Sequence, residues 1–321
     1  MKKILMVLLI AFVAVAGIFA QAAAEAAEFP TKTVEATVGW SAGGGGDVVF
    51  RALAAVFPKY GNGQAMIIKN VPGAAGITGA IEFLDASKDG YSIMHWNNAS
   101  LTKTHLSDVP VTGADTFTPV CQIVASYNYL VVNADSPFQT LQEFVEYAKA
   151  NPGKITMGNA GAQGGNHMAA LLFEDAAGLE FTHVPFSGGG PAITGLLSNT
   201  VDCVMANAPE GITNVENGQL RILAVFAEER YSAFPEVPTG IECGVDIVLP
   251  QWRVVVCPPN TPAEIVEKLA SIIKQCIEDP QFVEQMQSQC VEVVYKNPAE
   301  TDKFLHEQDV MYKNLVEAKG F

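Results

Sequence analysis

The stretch VGWSAGGGGDVVFRAL, Val38 to Leu53, sets four consecutive glycines, Gly43 to Gly46, between a short apolar run and the first turn of an amphipathic helix. The order of strand, glycine-rich turn and helix returns at ITMGNAGAQGGNHMAALLF, Ile155 to Phe173, and again at HVPFSGGGPAITGLL, His183 to Leu197. In parallel α/β sheets the helices that follow strands present their amino termini at the strands' carboxyl ends. The first N–H groups of a helix have no intrahelical partner, and the helix dipole adds partial positive charge. Such a terminus holds a carboxylate or phosphate without an arginine, and glycine lets the anion come close to the amides. Three such turns in one chain imply a shared anion site.

Short β-branched runs alternate with helical patterns along the rest of the chain. VEATVGW, AMIIKNV, GYSIMHW, PVCQIVA, YLVVNA, ITMGNA, DCVMANA, RILAVFA and WRVVVCP read as separate strands. Thr140 with Glu143 forms a capping box, Thr261-Pro262-Ala263-Glu264 repeats the device, and Asn297-Pro298 opens the last helix. Strands alternating with helices predict an α/β fold with largely parallel sheets.

At 321 residues, 49% hydrophobic and 17% charged, the chain is long enough for two globular domains. Its start reads separately. Lys2 and Lys3 precede the apolar run Ile4 to Ala20, and the small residues that follow offer cleavage sites, so residues 1–22 read as a secretory signal peptide and the mature protein as periplasmic. Loss of the two lysines takes the formal net charge from −15 to −17. So acidic a chain is unsuited to nucleic acid and gives an anionic ligand no long-range steering, so any anion site must be built from local donors.

Six cysteines, Cys121, Cys203, Cys243, Cys257, Cys276 and Cys290, contain no CxxC pair. Cys121, Cys203 and Cys257 sit in strand-like runs as small core hydrophobes, while Cys276 with Cys290 stays open as a local bridge. The histidines lack metal-ligand spacing, so no metal or cofactor is expected. His167, in the first turn after the second glycine loop, is the one placed near the site, with a packing role equally open.

Enzyme motifs fit poorly. Gly39-Trp40-Ser41-Ala42-Gly43 matches the nucleophile elbow G-x-S-x-G, but only one strand of the mature chain precedes it, whereas the hydrolase fold supplies several. The glycine run ends in Gly46-Asp47 rather than the Gly-Lys-Ser/Thr of a phosphate-binding loop. Asp47 reads first as a helix-terminus acid, with contact to a ligand amine or hydroxyl as the alternative.

The segments FPTKTVEATVGWSAGGGGDVVFRALA, IIKNVPGAAGITGAIEFLDASKDGYSI, ITMGNAGAQGGNHMAALLF, FTHVPFSGGGPAITGLLSNTVDCVMAN, GQLRILAVFAEERYSAFPEVPT and WRVVVCPPNTPAEIVEKL, in this order, resemble the Bug family. These are extracytoplasmic solute receptors of tripartite tricarboxylate transporters. The resemblance implies a two-lobed periplasmic binding protein of the Venus-flytrap type, monomeric, closing on a small organic acid and delivering it to membrane permease subunits. It implies one lobe from residues 29–125 and 235–321 and the other from 126–234. It carries the ligand carboxylate to Ser41, Ala42, Gly43, Gly44 and Gly45 of the first loop and to Asn159, Ala160 and Gly161 of the second, with Gly188 and Gly189 of the third nearby.

This chain departs from the family pattern in ways that bear on the ligand. Gly39 and Ala42 stand where prolines are common, and Asn159, Ala160, Gly164 and Gly165 replace hydroxyl residues. Trp40 offers an aromatic wall or core packing. Asn97 and Asn207, each after a strand, are further pocket candidates because an amide both donates and accepts. Arg253, in QWRVVVCP, reads as a solvated arginine; turned inward it would meet a second ligand carboxylate. The expected function is that of a receptor without catalytic activity, with a secreted serine hydrolase using Ser41, or a receptor presenting ligand to a membrane sensor, as alternatives.

Overall fold

The computed structural model describes residues 29–231 and 234–320, so the expected signal peptide lies outside the described residues. Ten strands form a single path of pairing in the order β2-β1-β3-β9-β4-β7-β5-β6, with β8 and β10 also paired to β4. In chain order, β1 (Val34–Val38) leads to α1 (Gly45–Tyr60), β2 (Met66–Asn70) to α2 (Ile77–Phe83), and β3 (Ser92–Asn97) directly to α3 (Asn98–Leu106). Then β4 (Thr118–Asn133) is followed by α4 (Leu141–Ala150), β5 (Thr156–Ala160), α5 (Gly165–Ala177), β6 (Thr182–Phe186) and α6 (Gly189–Leu197). β7 (Cys203–Asn207), α7 (Ile212–Glu216) and β8 (Leu220–Val225) precede the return through β9 (Pro250–Cys257), α8 (Ala263–Glu278), α9 (Pro280–Gln287), β10 (Glu292–Lys296) and α10 (Pro298–Lys319).

The architecture turns on β4. Two runs expected as separate strands, PVCQIVA and YLVVNA, form one strand of 16 residues. From Thr118 to Tyr127 it pairs antiparallel with β9, and from Asn128 to Val132 antiparallel with β7. The change of partner at Tyr127 and Asn128 divides the path into two sheets, each flanked by helices. Parallel pairing is confined to the outer strands, β1 with β2 and β3, and β5 with β6 and β7. The expectation of largely parallel sheets is corrected accordingly. β4 is the strand shared by both sheets, and β9 returns beside its first part in the opposite sense.

Side-chain alternation sets the layers. Ile93 and Val255 turn toward α1 and α8, packing with Phe50, Leu53, Leu269 and Ile273, whereas Met94, Trp96, Trp252 and Val254 turn toward α2 and α10, packing with Ile77, Leu305 and Tyr312. In the other sheet Leu130, Met157 and Met205 meet Phe144 and Phe173, while Val131, Val204 and Ala206 meet Ile193 and Leu196. Each such side chain contributes roughly 1.5–3 kcal/mol by leaving water.

The capping boxes of Thr140 with Glu143 and Asn297 with Glu300 are present. That of Thr261 is not. Thr261 is buried and donates its hydroxyl to the Pro258 carbonyl at 2.8 Å, leaving Pro262 as the cap. β10 is an additional strand, on an edge of β4. All six cysteines are free thiols, so Cys276 and Cys290 form no bridge.

Candidate functional site

The carboxyl ends of β1, β3, β5, β6 and β7 converge between the two sheets, each followed by a loop or by the start of a helix. Gly44, Gly164 and Gly188 are the N-caps of α1, α5 and α6, and none gives a side-chain cap. The first amides of these helices are therefore left without the side-chain acceptor that Thr140 and Asn297 provide to α4 and α10.

What faces these glycines divides them into two groups. A Cβ at Gly43, Gly161 or Gly190 would meet nothing within 4 Å, and at Gly44 only the Ser41 carbonyl at 3.2 Å. The space on that side of their backbone is open. By contrast, a Cβ at Gly45 would stand 2.8 Å from Arg253 Nη2 and at Gly46 2.8 Å from His95 Cε1, and at Gly189 it would run into the Glu210 carboxylate. At Gly165 it would stand 3.0 Å from Asn98 Nδ2 and 3.2 Å from Gln251 Oε1. Half of the bare backbone therefore makes room for polar side chains from elsewhere in the fold.

Arg253 corrects the sequence reading. It is buried and turned inward, on the same face of β9 as Val255, because the other face is filled by Trp252 and Val254. Its hydrogen bonds go to neutral oxygens, Ser126 Oγ at 3.3 Å, Asn207 Oδ1 at 3.4 Å and the Ala208 carbonyl at 3.5 Å. All three are long for N–H···O bonds. Burial lowers its pKa to about 10, with Glu210 and Tyr231 acting in the opposite direction.

Around Arg253 runs a chain of side-chain amides. Gln251 Nε2 donates to Asn128 Oδ1 at 2.8 Å, Asn128 Nδ2 to Asn166 Oδ1 at 3.4 Å, and Asn207 Nδ2 to Asn166 Oδ1 at 2.8 Å. Asn166 Nδ2 donates to Glu210 Oε2 at 2.9 Å, and the backbone N–H of Asn207 donates to the same oxygen at 3.4 Å. The Tyr129 hydroxyl bonds the Glu210 carbonyl. Burial raises the Glu210 pKa against the opposing effects of Asn166, Asn207 and Arg253.

Several of the expected ligand contacts also brace the loops. Asp47 is buried, and its carboxylate accepts from Gly43 N at 2.8 Å, Arg51 Nε at 2.8 Å and Asn70 Nδ2 at 2.8 Å. Burial pushes its pKa up, but the bonds from Arg51, Gly43 and Asn70 prevail and hold it below the usual value. The carboxylate thereby shapes the first loop. Asn97 caps α3, accepting from Ser100 N at 3.0 Å. His167 Nδ1 accepts from Gln163 N at 2.9 Å, and its ring lies 4.7 Å from that of His183, so it ties the second loop to its helix. The amide of Gly161 donates to the Phe186 carbonyl at 2.8 Å.

Ser41 and Ala42 are exposed, and Gly45, Ala160, Gly188 and Gly189 half-buried. Trp40 is half-buried against the core, and its Nε1 has no partner among the described residues; the same holds for Asn159 Oδ1, Asn98 Oδ1 and both ring nitrogens of His95. Asn159 Nδ2 meets His183 Nδ1 at 3.0 Å. Glu210, Asn166, Asn128, Gln251, Asn98 and His95 join the site without having been expected there. Among the described residues no group of His, Cys, Asp and Glu could hold a metal ion, and no helix is long and apolar enough to cross a membrane.

A family model described as "Tripartite tricarboxylate transporter family receptor" matches residues 49–321. A Cupriavidus necator protein, "UPF0065 protein in gbd 5'region", is 33% identical, the match spanning 93% of this chain and 91% of that protein. Protein BugT of Bordetella pertussis is 27% identical over 96% and 95% of the two chains. Among solved structures, the periplasmic binding protein BugD superposes with a TM-score of 0.82 at 27% identity, covering 91% of this chain and 99% of that one. A TctC solute binding protein from Polaromonas gives 0.74 at 29% identity, covering 90% and 99%.

Proposed function

This chain belongs to the tripartite tricarboxylate transporter receptor family, and from that premise we propose that it captures a small organic carboxylate between its two sheets. The family and fold are those of non-enzymatic solute-binding receptors, which retires the reading of Ser41 as a nucleophile. The chain is exported to the periplasm, residues 29–125 and 235–321 act as one lobe and 126–234 as the other, and the loaded receptor is handed as a monomer to the permease subunits of a transporter.

The observation that carries the reading is Arg253. A guanidinium buried beside the amino terminus of α1, bonded only weakly and to neutral oxygens, is a cation awaiting an anion. The ligand carboxylate binds there and on the first amides of α1, with Ser41 to Gly45 on one side and Asn159 to Gly161, Gly188 and Asn207 on the other. Binding draws on both sheets, so the ligand stabilises the closed arrangement in proportion to its greater affinity for it.

A thermal-shift screen of the refolded mature chain against small mono-, di- and tricarboxylates tests this. A ligand of the native state stabilises by about 2.7 kcal/mol at a hundredfold excess over its Kd. A shift with one carboxylate class supports the receptor; a folded protein that responds to none contradicts it.

A further inference from the structure

Glu210 is an unusual occupant for a site that binds anions. Its carboxylate lies against Gly189 at the first turn of α6, so close that it leaves no room for a Cβ there. Both of its hydrogen bonds, from Asn166 Nδ2 and from the backbone N–H of Asn207, end on Oε2. Glu210 is half-buried, as expected of a group lining a cleft rather than filling a core. Across Asn207 stands Arg253, whose Nη2 donates to Asn207 Oδ1 at 3.4 Å. Two opposite charges thus face the same cleft from opposite sides of one asparagine, and they are not paired with each other by a direct salt bridge.

Each charge alone sets a condition on the ligand. Arg253 and the α1 amides require an anionic end. Glu210 already places a negative charge at the third glycine loop, so a second ligand carboxylate brought there meets repulsion, whereas a cationic nitrogen meets an acceptor. We propose that this receptor selects small amphoteric ligands that carry a carboxylate for Arg253 and an ammonium group for Glu210, in preference to dicarboxylates of the same length. The inference rests on the receptor reading above and deepens it. Glu210 is the residue that sets the preference, and Arg253 the one that both ligand classes need.

The test is calorimetric titration of the refolded wild-type chain and of Glu210→Gln with matched pairs, succinate against β-alanine and glutarate against 4-aminobutyrate, together with the common L-amino acids. The wild type is expected to bind an amino acid at least about tenfold more tightly than the dicarboxylates, and Glu210→Gln to narrow or reverse that ratio. The glutamine keeps an oxygen for Asn166 and Asn207, and an unchanged melting temperature shows that the fold is kept. If the wild type prefers a dicarboxylate, or if Glu210→Gln leaves the ratio unchanged, the amphoteric preference is overturned while the receptor reading stands. If folded wild-type protein binds neither class, both fall together.

Discussion

Arg253 Nη2 lies 3.4 Å from Asn207 Oδ1, a bond that joins β9 in one sheet to β7 in the other. The same guanidinium reaches Ser126 on β4 at 3.3 Å, where β4 nears its change of sheet. It therefore stands at the junction of the two halves and is held there by weak bonds. A buried cation so held costs desolvation energy that the protein recovers only when an anion arrives.

Arg253→Met is expected to weaken carboxylate binding by about 10- to 150-fold, the range for loss of charged hydrogen bonds of about 1.5–3 kcal/mol. Its melting temperature should stay close to that of the wild type or rise, because methionine fills similar space without the desolvation cost. Calorimetry and thermal melts on the same preparation check both. Full affinity in the variant would remove Arg253 from the site.

Two glycines two residues apart are expected to respond in opposite ways. Gly44 has φ −73°, and its added Cβ would meet only the Ser41 carbonyl, so Gly44→Leu should fold normally and lose binding by covering the first amides of α1. Gly46 is buried, with His95 Cε1 at 2.8 Å from an added Cβ, so Gly46→Ala should destabilise the protein by about 1–3 kcal/mol through overpacking. Denaturant melts paired with titrations separate the two effects.

Asp47→Asn tests the brace of the first loop. It replaces a carboxylate that accepts three hydrogen bonds with an amide that cannot accept all three. A loss of about 2 kcal/mol in stability is expected, with weaker binding because the loop is no longer preorganised. Unchanged stability would mean that the ion pair with Arg51 carries no net energy.

Acid should destabilise the fold through two histidines. Burial, with Arg253 nearby, lowers the His95 pKa to about 3, and burial followed by His183 lowers that of His167 to about 4 despite the opposing Glu174. Both lie below the unfolded value near 6.5, so the unfolded chain takes up protons that the folded chain refuses. Stability is present above pH 6.5 and falls as pH drops toward 4, by up to about 1.4 kcal/mol per pH unit for each histidine. His167→Gln should flatten this slope in denaturant titrations at pH 7, 6 and 5; an equal slope would mean that His167 titrates freely in the fold.

The elements built from local signals were legible in the sequence. Thr140 with Glu143 and Asn297 with Glu300 define helix starts because their bonds close within four residues. Thr261 carries the same pattern, but its hydroxyl is taken by Pro258, a competition the spacing does not reveal. The joining of two apolar runs into β4 was hidden because Ser126 to Asn128 looks polar, whereas these residues are half-buried or buried where the sheets divide. The three glycine turns were readable as a shared site, but not what faces them. For Arg253 a signal did exist. In WRVVVC a strand covered on both faces leaves a charged side chain no solvated side, so an inward position follows from the continuous apolar run around it. Glu210, two residues beyond Ala208, had no comparable signal, since its position depends on α5 and α6 arriving from distant parts of the chain.

The most direct test of the central claim is isothermal titration of the ligand-stripped chain and of Arg253→Met against one panel of small carboxylates, including amino acids. The account predicts saturable one-to-one binding of at least one carboxylate by the wild type, and its loss or severe weakening in the variant. A folded wild-type protein that binds none of them, or a variant that binds equally well, would contradict it.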